Sequence, residues 1–96
     1  MSLSKKHYKK IAELIGKHTV QPNKEIKKEI LDKIKQSKSV WVFNGFTEYY
    51  FKTTKGDILG VFRKSIKACD KNYLNSFLNE FNLQTRLNEN NELFFN

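Results

Sequence analysis

Apolar spacing divides the chain into a helical front, a strand-rich middle and a mixed end. Tyr8, Ile11, Ala12, Leu14 and Ile15 fall on one stripe, the 3.6-residue spacing of an amphipathic helix. Ser4 suits the N-cap of that helix, Leu3 before it can staple onto Tyr8, and Gly16 marks the expected stop. Residues 18–21 read as a plain connection. Pro22 fits the first turn of a second helix, in which Ile26, Ile30, Leu31 and Ile34 form a narrower stripe. Glu25, Glu29 and Asp32 alternate there with lysines at spacings that pair opposite charges.

Residues 39–62 form the one long run rich in β-branched and aromatic side chains. Asn44-Gly45, between VWVF and FTEYYF, signals a two-residue hairpin that sets Phe43 opposite Phe46 and Val40 opposite Tyr49. A second turn at residues 54–57 uses Gly56 for a left-handed backbone, pairing Thr53 with Ile58, Phe51 with Gly60 and Tyr49 with Phe62. Strand alternation then sorts the side chains into two faces. One carries Val40, Val42, Tyr49, Phe51, Thr53, Ile58 and Phe62, and is the cleaner core face. The other carries Trp41, Phe43, Phe46, Glu48, Tyr50, Lys52, Leu59 and Val61. Aromatic faces are usually core, so helices are expected to cover this one too. Left open beside basic residues, it can stack bases.

Beyond the sheet, residues 63–69 read equally as a loop or a strand extension. Asp70 suits the N-cap of a third helix whose apolar face is Tyr73, Leu74, Phe77, Leu78 and Phe81, expected to lie across the sheet. Residues 84–87 and 92–95 flank a polar turn at 88–91 and predict a C-terminal β-hairpin. The expected fold class is α+β: two N-terminal helices, a three-stranded antiparallel meander, a helix and the C-terminal hairpin. It forms a single domain over residues 1–96, with the basic helical pair in 1–37, the meander in 39–62 and helix plus hairpin in 70–96. The helical pair can dock on the sheet or form a homodimer interface.

Charge changes the picture more than composition does. Net charge is +8, and residues 1–38 alone hold eleven lysines against Glu13, Glu25, Glu29 and Asp32. Residues 72–96 reverse the sign, with Arg86 against Glu80, Glu89 and Glu92. Lys5 and Lys6 sit in a first helical turn, where they oppose the helix dipole and an anionic ligand would relieve them. This asymmetry points to an anionic partner, nucleic acid above all. A codon bias toward Lys, Asn and Ile raises the charge in the same way with no binding function.

Several chemistries find no support. His7 and His18 fall on separate elements and Cys69 is the single cysteine, so no metal-ligand spacing occurs. Both histidines are expected at the surface, and Cys69 as a small buried hydrophobe. Gly16, Gly45, Gly56 and Gly60 are isolated, and none opens a basic phosphate-binding loop. No apolar run approaches the roughly 20 residues of a membrane span, and residues 1–16 lack the apolar centre of a signal peptide. With a single cysteine and no apolar centre in residues 1–16, a reducing cytoplasm is the expected location. No cofactor is implied.

The opening LSKKHYKKIAELI, residues 3–15, resembles the first helix of many small phage and prophage proteins, which read L-[ST]-x-x-H-[YF]-x-x-I-A-E. That resemblance implies a mobile-element origin and carries no active site. The helical pair followed by a meander also resembles in outline the RelE-type ribonuclease toxins, which cleave messenger RNA without metal. Two features depart from that layout: no strand precedes the first helix, and a helix plus hairpin follows the sheet.

The function expected is a small non-enzymatic nucleic-acid-binding module, for RNA or DNA. Lys5, Lys6, Lys9, Lys10, Lys24, Lys27 and Lys28 would contact phosphates, and Arg63, Lys64 and Lys67 would form a second patch. Trp41 and Tyr50 would stack on bases if their face is open. Lysine in preference to arginine argues for backbone contact over base readout. The rival is a phage inhibitor or adaptor, similar in size and lack of motifs to anti-CRISPR proteins, that docks on a host protein or nucleoprotein complex.

Overall fold

A computed structural model describes residues 2–21, 23–80 and 93–96. Helix α1 spans Lys5–His18, and the Ser4 hydroxyl caps it by accepting from the His7 N–H at 3.2 Å. Ile11, Leu14 and Ile15 are fully buried, and Leu3 folds into the same core. The helix does not stop at Gly16. Open space surrounds that glycine, and the chain stays helical to His18 before Thr19 turns extended. The Thr19 hydroxyl donates to the Ile15 carbonyl, closing one of the last-turn acceptors.

Helix α2 spans Lys24–Gln36 and is capped by Asn23, whose side-chain oxygen accepts from the N–H groups of Glu25 and Ile26. Its first turn therefore begins after Pro22, which lies outside the described residues. Ile30 and Ile34 are its buried positions.

The sheet has five strands, all pairings antiparallel: β1 (Thr19–Val20), β2 (Val40–Asn44), β3 (Glu48–Lys52), β4 (Ile58–Lys64) and β5 (Leu93–Phe95). Their order is β1-β4-β3-β2-β5, so the meander is flanked by one short strand on each side. The expected connection at residues 18–21 is in part strand β1, held by pairing Thr19 with Lys64 and Val20 with Arg63. Strand β5 lies against β2 and places Leu93 and Phe95 in the core. The partner strand expected for it, residues 84–87, falls outside the described residues.

The first hairpin turns later than expected. Its observed pairs are Val42 with Phe51, Phe43 with Tyr50 and Asn44 with Tyr49, and the Gly45 N–H donates to the Glu48 carbonyl at 2.9 Å. Reversal thus centres on Phe46-Thr47. A turn at Asn44-Gly45 would leave Tyr50 to Lys52 without partners in β2, whereas this register pairs Trp41 to Asn44 with Tyr49 to Lys52. Gly45 is needed here for close approach: a Cβ would stand 2.9 Å from the Glu48 carbonyl oxygen. The slip is an even number of residues, so the paired side chains of β2 and β3 keep their faces, while Phe46, expected on the aromatic face, leaves the strand for the turn at 85% exposure. Between β3 and β4 the expected register holds from Glu48 to Phe51, and Gly56 adopts a φ of +94° in the turn. A bulge at Phe51/Lys52 then sets Lys52 opposite Ile58, which moves Ile58 from the core to 62% exposure.

All three described helices bury their apolar stripes with Val40, Val42, Tyr49, Phe51 and Phe62, on one side of the sheet. One 3₁₀ turn, Lys67–Cys69, leads to α3 (Lys71–Glu80). Asp70 caps α3 as expected, its carboxylate accepting from Asn72 and Tyr73 N–H at 2.9 and 3.2 Å. Leu74 and Phe77 are buried in the shared core, while Tyr73 is 42% exposed. Phe81 lies outside the described residues.

Candidate nucleic-acid interface

The basic residues expected to bind do not form one surface. Lys5, Lys6, Lys24 and Lys28 are exposed on α1 and α2 and make no ion pair among the described residues. Lys9 is exposed one turn before Glu13, and Lys10 and Lys27 are half-buried. All belong to the helical layer. Glu13 is engaged by Lys17 at 2.9 Å, a hydrogen bond and charge pair that hold its carboxyl below the ordinary range.

Trp41 and Tyr50 belong to the opposite layer, on the sheet face turned away from the described helices. That face was expected to be covered, yet Trp41, Phe43, Tyr50 and Lys52 are only half-buried and Phe94 is 36% exposed. The reason is stripe width: each helix has one apolar face, and the aliphatic and aromatic residues of the other sheet face occupy it. Trp41 stands opposite Phe94 across β2 and β5, with ring centroids 4.6 Å apart, and Phe43 follows two residues on at 6.3 Å from Trp41. Tyr50 is directly opposite Phe43, and Lys52 directly opposite Trp41. The Lys52 ammonium lies 5.1 Å from the centre of the Phe43 ring, within cation–π reach.

The second basic patch is divided by strand alternation. Arg63 is exposed, opposite Glu48 and on the aromatic face. Lys64, its neighbour, points to the core side and is 8% exposed, its ammonium 4.9 Å from the Tyr49 ring centre. Burial lowers its pKa, and it is no phosphate ligand as placed. Lys67 is exposed on the 3₁₀ turn.

No family model, curated protein or solved structure matches the chain. Its chemistry has to be read from its own side chains.

Two further expectations are overturned. His18 is buried at 1% exposure, because α1 continues past Gly16 and delivers its imidazole beneath α3. The ring meets Phe77 at 4.0 Å and Tyr73 at 5.4 Å, both edge-on, and neither nitrogen has a hydrogen-bond partner. Cys69 is exposed and free, since Ala68 takes the buried position of the 3₁₀ turn. Tyr49 is buried with its hydroxyl unpartnered, and burial raises its pKa. Among the described residues no group of three His, Cys, Asp or Glu side chains could hold a metal ion, and no helix is long and apolar enough to cross a membrane.

Sequence alone placed Trp41, Phe43, Tyr50 and Lys52 on one face. It missed Phe94, whose strand joins β2 through a contact more than fifty residues away in the chain. It also missed that Arg63 belongs with them, a point that follows once β4 is extended to Lys64.

Proposed function

We propose that the chain is a small, basic, non-enzymatic nucleic-acid-binding module of the cytoplasm, of phage or mobile-element origin. The observation that supports this is the surplus of exposed lysines on α1 and α2, Lys5, Lys6, Lys24 and Lys28, left without ion pairs among the described residues. Such charges cost free energy through mutual repulsion, and phosphate contact with release of counterions relieves it. Titration of Trp41 fluorescence with oligonucleotides at two salt concentrations tests the reading. Binding at low salt that weakens steeply as salt rises is expected, and absence of binding at low salt would sink it.

A second reading is a protein-binding inhibitor or adaptor. Phe46 at 85% and Ile66 at 92% exposure favour it, because such residues commonly anchor protein partners. Under that reading a specific protein partner binds with little dependence on salt, and free nucleic acid does not.

A further inference from the structure

We infer that the ligand is an unpaired nucleic-acid strand, and that its bases stack on the half-buried aromatic sheet face at two adjacent subsites, Trp41 with Phe94 and Phe43 with Tyr50. This rests on the nucleic-acid reading above and narrows it to one ligand class and one surface.

Three observations carry the assignment. The first is shape. Five strands at a spacing of about 4.8 Å make a sheet about 19 Å across, too broad to enter a duplex major groove of about 12 Å face-on. A duplex would also keep its base faces stacked on each other, out of reach of the rings. The second is ring placement. The Trp41 and Phe94 ring centres are 4.6 Å apart and Phe43 is 6.3 Å from Trp41, with Tyr50 opposite Phe43 in the strand register, so neighbouring bases meet neighbouring rings along β2.

The third is charge. Lys52 sits opposite Trp41 and over Phe43, and Arg63 marks the far side of the same face with Glu48 directly opposite it, so the face carries two cations against one carboxylate. An extended strand stacked on the rings would bring its phosphates to these two cations. The lysines of α1 and α2 lie in the layer behind the sheet; their field attracts the strand at low salt, and they contact phosphates only of a strand long enough to pass the sheet edge. This separates the roles: the sheet face selects unpaired bases, and the helices raise affinity for any polyanion.

The test compares a fluorescein-labelled eight-nucleotide single strand with the same sequence closed as a hairpin duplex, at low and moderate salt. Three variants accompany the intact chain: Phe94→Ser, Lys52→Gln, and a combined charge reversal of Lys5, Lys6 and Lys9 to Glu. Phe94 is at the exposed surface of a three-residue edge strand, and circular dichroism melting checks that each variant folds. Expected are tighter binding of the single strand by roughly ten-fold or more, quenching of Trp41, and a roughly five- to one-hundred-fold loss with Phe94→Ser. Lys52→Gln lowers affinity several-fold as an independent check. Equal affinity for the duplex, with loss confined to the helical charge reversal, would overturn this inference and leave the nucleic-acid reading standing. No binding of either oligonucleotide at low salt would remove both and leave the face to a protein partner.

Discussion

Ile30 of α2 occupies the space above Gly60 of β4 so closely that a methyl group on that glycine would stand 2.5 Å from the Ile30 Cγ2. The contact seats α2 on the sheet, and it explains a glycine within a strand where a larger residue would give better β-propensity. Gly60→Ala is expected to destabilise the fold by about 1–3 kcal/mol, because a β-branched side chain cannot swing its Cγ2 aside. Ile30→Val keeps Cγ2 and gives little relief, whereas Ile30→Ala in the Gly60→Ala background recovers part of the loss. Urea unfolding of the double-mutant cycle measures the coupling.

His18 makes stability sensitive to pH. Its imidazole is held below the ordinary value near 6.5, first by burial and then by Lys17 and Lys67, with Glu13 partly opposing. The folded state thus takes up its proton at a lower pH than the unfolded state. The contribution is complete above about pH 6.5 and is lost as pH falls from there through the folded-state pKa. Thermal melting is expected to show a falling Tm between neutral and mildly acidic pH. His18→Leu removes that part of the slope, while the Glu13 effect belongs to a lower window set by its depressed carboxyl.

Lys64 and Arg63 are adjacent in sequence and opposite in expected behaviour. Lys64→Met keeps the aliphatic stem against Tyr49 and removes a desolvated charge, so stability should hold within about 1 kcal/mol or rise. Nucleic-acid affinity should not change. Arg63→Ala should leave stability nearly untouched and lower the slope of log affinity against log salt by about 0.7, the value of one single-strand phosphate contact. Equal loss of affinity in both variants would contradict the face assignment.

Asp70 governs the docking of α3 through its first turn. Asp70→Ala leaves the Asn72 and Tyr73 N–H groups without their acceptor and is expected to cost about 0.5–2 kcal/mol, while Asp70→Asn retains most of the cap. Because Phe77 and Tyr73 cover His18, the alanine variant should also bring the His18 pKa closer to its ordinary value, readable by NMR titration of the imidazole.

What the sequence determined by itself was local. Ser4 and Asp70 announce helix starts because a side-chain oxygen beside unpaired N–H groups needs only neighbours within three residues. Gly56 marks its turn because a positive φ is a property of one residue. The two faces of the meander were legible despite a misplaced first turn, because alternation has a period of two and the slip was even.

Tertiary structure decided the rest. The edge strands β1 and β5 have two and three residues, too short to carry a pattern, and exist through pairing with distant β4 and β2. His18 is buried because α3 arrives over it, and Lys64 because β4 runs two residues beyond the apolar stretch into the layer beneath the helices. The candidate site follows the same division. Its rings could be placed on one face by counting along the chain, but whether that face meets water depends on the combined width of three helical stripes, a property of no single segment.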